Sequence, residues 1–297
     1  MAGLRARLGA EARDLLEVVL VPGLAALLPW PWAYRLFRRI AARPWLYESS
    51  VARAAAQARA RQWVGTSEAD WMLRRRLTTL VDHADHYLSR TRGAGWLSRF
   101  VHQEGEWPRP GQPALCLTFH WGAGMWGLRS AAAAGVRAHM LVASPDAAHF
   151  RGHAVLHRYI LARMNSITKA LGRECIDVSA DMRQVPRALA AGDAVFAVID
   201  VPADQVTASA PIRVLGLPAR LPTALLRMAV AKAIPVHVYV TGYRLEDGHR
   251  FVRIQSLGAP RDLATLVGQV ETLLDEAIRA DAPMWHFWGE ADRFYRP

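Results

Sequence analysis

A histidine followed by a glycine-rich turn, His120-Trp121-Gly122-Ala123-Gly124, closes the apolar run ALCLTF at Ala114 to Phe119. An imidazole at the end of a strand takes a proton near neutral pH and can serve as a general base. Gly122 and Gly124 allow close backbone approach or positive φ around a bound substrate. The helical pattern from Met125 to Ala134 would aim its first amides at the same place, where they can hold a developing oxyanion. A lone histidine is more often structural, and other polar clusters stand beside it. His149, His153 and His157 recur every four residues after Asp146, a spacing that zinc accepts on a helix. No His-Glu-x-x-His signature accompanies them, and with Arg151 and Arg158 they read as a solvated or phosphate-facing stripe. Asp82, His83, Asp85 and His86 read as an exposed helix face, and no metal site is expected. Cys116 and Cys175, the only cysteines, sit in apolar surroundings and read as reduced, buried thiols.

The elements that must position His120 follow from periodicity. Short apolar runs at Ala114 to Phe119, Ala138 to Ala143, Ala194 to Ile199 and Ile234 to Val240 alternate with helical patterns near 125–134, 151–171, 181–191 and 223–232. Such alternation predicts an α/β fold with a mixed, largely parallel sheet flanked by helices. In such sheets ligands bind beyond the carboxyl ends of the strands, where His120 lies. A hairpin turning at Glu246-Asp247-Gly248 and a helix at 262–280 complete the core. Residues 1–105 read as helical, with no strand. The stretch EWPRPGQP, with three prolines and a glycine, marks a boundary between this N-terminal region and an α/β core at 106–297.

Hydrophobic residues make up 52% of the 297-residue chain, which excludes a disordered protein. The net charge of +11 comes almost wholly from arginine, Lys169 and Lys232 being the only lysines, and suits anionic partners. No zinc-finger spacing, helix-turn-helix signature or aromatic RNA-binding motif is present, so nucleic acid is not an expected partner. Leu15 to Trp32 nearly reaches membrane-spanning length but is interrupted by Glu17, Pro22, Pro29 and Pro31. Trp30, Trp32 and Tyr34, followed by Arg35, Arg38, Arg39 and Arg43, form an aromatic and cationic collar of the kind that sits at a lipid interface. The expectation is a monotopic, membrane-associating N-terminal region; a helix docked on its own domain is the alternative.

Several segments in order resemble the bacterial lipid A late acyltransferases, the lauroyl and myristoyl transferases to which mycobacterial phosphatidylinositol mannoside acyltransferases are related. They are the tryptophan-rich N-terminus, LTFHWGAG around His120, ALAAGDAVFAVIDVPAD from Ala188 to Asp204, LPARLPTALLRMAVAKAIPVHVYV from Leu217, and APMWHFWGEADRFYRP from Ala282. The resemblance spans most of the chain. It implies a glycerolipid-acyltransferase-like core and a place on the cytoplasmic face of a bacterial inner membrane. It also implies direct acyl transfer, without a cofactor, from an acyl carrier protein or coenzyme A thioester to a hydroxyl or amine of a lipid A precursor or other amphiphilic acceptor. His120 would remove the acceptor proton.

The chain departs from that family at one important position. The family motif is His-x4-Asp/Glu, and the residue five after His120 is Met125. Trp121 to Leu128 contains no carboxylate, so an acid must come from elsewhere: Asp200 after AVFAVI is the first candidate, Asp204 the second, Asp146 the third. Three readings stay open: a transferase with a relocated acid, one using His120 alone on an easier acceptor, and a member that has lost catalysis. A non-catalytic lipid-binding scaffold and an acyl-thioester hydrolase are the competing functions. Arg213 and Arg220, flanking VLGLPA, are candidate substrate-binding groups that would hold a phosphate, phosphopantetheine or carboxylate, and Arg173 is a similar one.

Overall fold

The computed structural model describes residues 2–296, with the side chains of residues 2–4 and 203 left aside. The chain begins with α1 (Ala2–Asp14), a π-helical stretch (Leu15–Leu20), α2 (Val21–Leu27), α3 (Trp30–Ala41), α4 (Glu48–Ala60), α5 (Glu68–Thr91) and α6 (Ala94–Phe100). Then follow β1 (Val101–Glu104), β2 (Ala114–Thr118), α7 (Met125–Ala133), β3 (Ala138–Val142), α8 (Ala154–Leu171), β4 (Ile176–Asp177), α9 (Gln184–Ala190) and β5 (Ala194–Val198). A hairpin of β6 (Ser209–Val214) and β7 (Leu217–Pro222) precedes α10 (Ala224–Lys232), β8 (Val236–Tyr243), β9 (Arg250–Gly258), α11 (Leu263–Ala280) and α12 (Ala291–Phe294).

Seven strands form one sheet in the order β1-β9-β8-β2-β5-β3-β4, every neighbouring pair parallel except β8 and β9. The fold is therefore α/β with a mostly parallel, mixed sheet flanked by helices, as the alternating pattern predicts. β2 lies in the interior of the sheet between β5 and β8, and all five of its residues are buried, which accounts for a continuous rather than alternating apolar run. Its helices carry local stop and start signals: Ser67 accepts from the Asp70 amide to open α5, and Gly172 at φ 71° closes α8.

Three features differ from the sequence expectations. The N-terminal 105 residues include a strand, β1, which adds to β9 at the sheet edge. The β6–β7 hairpin was not foreseen, because Pro211, Pro218 and Pro222 break the apolar pattern; it forms a separate two-stranded ribbon in which proline is tolerated. The aromatic collar is also divided. Trp30 and Tyr34 are buried, donating to the carbonyls of Gly248 and Leu245, and only Trp32, at 66% exposure, faces outward.

The helical layer and the sheet share one apolar core, which runs from Val21 and Phe37 through Leu80 and Leu117 to Leu274. At its polar centre the side chains of Asp85 on α5 and Arg250 on β9, both fully buried, form a two-pronged ion pair, with the Arg250 guanidinium 4.0 Å over the Trp30 ring. No helix among the described residues is long and apolar enough to cross a membrane.

Candidate functional site

β2 and β5 are parallel neighbours in register, Thr118 opposite Val198. His120 and Asp200 each lie two residues beyond those partners, so equal offsets from one rung bring them together. The His120 ring Nδ1 is 2.9 Å from Asp200 Oδ1, and the His120 amide donates to the same carboxylate at 2.8 and 3.0 Å. The Trp285 indole donates to Asp200 Oδ2 at 2.8 Å. Asp200 is wholly buried, whereas the imidazole keeps 35% of its surface. A carboxylate only accepts, so Nδ1 carries the ring proton and the Nε2 lone pair is left for a substrate proton. The Phe287 ring covers the imidazole at 4.3 Å between centroids. A buried carboxylate thus reaches His120 from the neighbouring strand end.

A cavity of about 300 Å³ opens beside His120. Its lining is mixed: Met125, Leu128, Met140, Ile167, Val198 and Tyr239 are largely apolar, and Thr118, Asp82, Arg163 and His286 are polar. Met125, 2% exposed, belongs to the apolar lining where the motif acid was expected. Gly124 and Met125 open α7 and also line the cavity, so the positive end of that helix borders it.

Arg163 and Asp82 pair at 2.7 Å, and Arg163 also donates to the Tyr159 hydroxyl at 3.2 Å. Burial by itself would raise the Asp82 carboxyl, but Arg163 foremost, together with His286 and His83, more than offsets it and holds Asp82 at about 2. His286 is fixed by two neighbours: Arg75, which can only donate, lies 3.0 Å from Nδ1, so Nε2 carries the proton and donates to the Gly122 carbonyl at 2.7 Å. Burial, reinforced by Arg75, pushes His286 down to about 3. Arg75 itself is buried and lowered to about 10 by desolvation. Sequence reasoning missed Arg163, Asp82 as a cavity residue, Arg75, His286 and Trp285. For Asp82, Trp285 and His286 the signal available was the polar crowding of DHADH on α5 and MWH near the end; Arg75 and Arg163 lie in neither segment and carried no such signal.

Of the remaining sequence candidates, Gly122 and Gly124 line the cavity and the others lie elsewhere. Gly122 has φ 70°, and a Cβ there would meet the Thr241 carbonyl oxygen at 1.9 Å, so glycine is required. Gly124 has φ −73° with open space around it and carries no such requirement. Asp204 pairs with Arg293 at 2.9 Å, and neither borders the cavity. Arg173 binds Asp193 at 3.0 Å, just before β5; in a parallel sheet the start of β5 is the end opposite His120, which places Arg173 away from the site. Arg213 and Arg220 border a different depression with Pro211, Pro218 and Glu271, because they belong to the separate ribbon. Asp146 caps a short turn through the Ala148 amide.

The helix face read as solvated is buried or half-buried. His83 meets the Tyr47 hydroxyl at 3.0 Å, Asp85 pairs with Arg250, and His86 is 2% exposed. The presumed histidine stripe is split: His149 lies in a 3-10 turn, His153 binds Asp14 at 2.8 Å, and His157 stacks on Phe150. No group of three or more metal-ligating side chains occurs among the described residues.

A pH dependence of stability follows from the buried histidines. Desolvation lowers His83 and His86 to about 4 and His286 to about 3, below the ordinary value of about 6.5. Below that ordinary value the unfolded chain binds protons that the folded chain refuses, so stability is full above it and falls as pH drops towards 4. Three such groups give a slope of about 4 kcal/mol per pH unit. Urea midpoints measured from pH 7 to 5 are expected to fall steeply, and a flat profile would contradict the assignment.

Compared with known proteins, the chain matches no family model and no curated sequence.

Proposed function

We propose that the protein is an acyltransferase that moves an acyl group from a carrier-protein or coenzyme A thioester to a hydroxyl or amine of an amphiphilic, membrane-borne acceptor. The observation that carries this is the His120–Asp200 pair, with His120 lining a cavity whose other residues are both apolar and polar. Asp200 holds the ring proton on Nδ1, so Nε2 can take the acceptor proton as oxygen or nitrogen attacks the thioester carbonyl. The tetrahedral oxyanion would form near the first turn of α7. Collapse expels the thiolate, which takes the proton from His120 and restores the neutral base. The apolar lining suits an acyl chain, and Asp82 with Arg163 suits the polar end of the acceptor. A lipid A precursor is the acceptor that the family resemblance suggests. Incubation of the purified protein with labelled acyl thioester and a lipid extract tests the reading: label should enter the lipid fraction, and His120→Ala should prevent it.

Membrane association belongs to the same reading. Leu8, Leu20, Leu27 and Trp32 are 62%, 54%, 78% and 66% exposed, an unusual concentration of bare apolar side chains in consecutive helices. Trp32, Arg35 and Arg39 recur at i, i+3 and i+7 on α3, so an interfacial ring and two cations share one outward stripe. Replacing Arg35 and Arg39 with alanine should lower partition into phosphatidylglycerol vesicles roughly 30-fold, at about 1 kcal/mol per charge. Sedimentation with vesicles measures this, and unchanged partition would count against the surface.

A further inference from the structure

The segment Pro283 to Trp288 runs alongside the His120 loop and is tied to it at several points. The His286 amide donates to the His120 carbonyl at 2.6 Å, the Gly122 amide to the Met284 carbonyl at 2.9 Å, and His286 Nε2 to the Gly122 carbonyl. From behind, buried Arg75 donates to the carbonyls of Pro283 and Trp285, both at 3.2 Å. Trp285 is completely buried, and its indole N–H points to Asp200 Oδ2.

We infer that Trp285 is a positioning residue: its indole N–H fixes the rotation of the Asp200 carboxylate, and through it the tautomer of His120. An aspartate side chain has a broad terminal torsion, and the His120 amide, shared between both oxygens, is one donor that leaves the carboxylate room to turn. The indole N–H is a second, separate donor on Oδ2, and it narrows that turn and keeps Oδ1 against His120 Nδ1. Which ring nitrogen carries the proton is set by the bond the other nitrogen's neighbour makes, so losing the indole N–H should mix the two tautomers. The Nε2–H form has no lone pair facing the cavity and is inert as a base. The inference rests on the reading of His120 as the base, but its main readout does not.

The experiment is ¹⁵N NMR of histidine-labelled protein, with the His120 signals assigned by their loss in His120→Gln, alongside steady-state acyl transfer. The wild-type protein should show Nδ1 protonated and Nε2 bare. In Trp285→Phe the His120 signals should move to intermediate values, with kcat lower by about tenfold or more and KM within about twofold. Because phenylalanine also loses packing, a second variant carries benzothienylalanine at 285, which keeps the bicyclic shape and lacks only the N–H. The same tautomer mixing there supports the inference. A wild-type tautomer and kcat in the benzothienyl variant overturn it, leaving Trp285 as core packing. Acyl transfer that survives His120→Ala would overturn the catalytic reading while leaving the tautomer result standing, so the two failures are distinguishable.

Discussion

His120→Ala is expected to lower acyl transfer by roughly 10²–10⁴-fold, the usual contribution of a positioned general base. The imidazole keeps 35% of its surface, and its ring contacts are Asp200 and the Phe287 face, so removing it should leave the fold intact. KM for the thioester should change little, because in the proposed function the cavity lining and not the base holds the chain. Asp200→Asn should fall in the same direction: an amide turned to Nδ1 donates, which places the ring proton on Nε2 and takes the lone pair away from the substrate. Three products of the labelled assay separate the alternatives. Label in lipid that disappears with His120→Ala supports transfer, free acid formed without acceptor supports a thioester hydrolase, and transfer unchanged by the substitution removes His120 from the mechanism. A protein that binds lipid but turns over no thioester is the scaffold.

Asp85→Ala is expected to be the most damaging substitution for stability. Arg250 is 1% exposed, and without Asp85 its charge keeps only the Gly248 carbonyl and the faces of Trp30 and Trp96. Breaking a buried pair from one side costs about 3–5 kcal/mol, which in a chain of this size lowers Tm by about 10 °C. The intact pair is not a large source of stability, because burial raises the Asp85 carboxyl even with Arg250 alongside. A double replacement, Asp85→Leu with Arg250→Met, should therefore recover most of the loss. Calorimetry on the two single variants and the double variant decides this, and a single variant melting with the wild type would refute it.

Much of the sheet was legible because its interior strands are uninterrupted apolar runs, and those runs end at His120 and Asp200. Once the strands were read as parallel, both residues fell at the same end, which is why the acid could be sought across strands. The floor of the cavity was not legible. Arg163 lies on α8, Asp82 on α5 and His286 after α11, so only packing unites them. The sequence DHADH resembles a solvated face because four of its five residues are polar. Its partners, Arg163, Tyr47 and Arg250, are 81, 36 and 165 positions away along the chain. Trp285 was not legible as a hydrogen-bond donor to the site, because periodicity locates rings and says nothing of where an N–H points.

The register that pairs Thr118 with Val198 separates two properties that a shared helix would tie together. An acid on the first turn of α7 would belong at once to the proton machinery and to the cavity wall, and could not change size without disturbing the base. With the carboxylate just beyond β5, position 125 bounds only volume. If the protein is the acyltransferase proposed above, a lineage built this way could exchange one chain length or acceptor for another through single replacements at position 125, inheriting its chemistry unchanged while its substrate drifts.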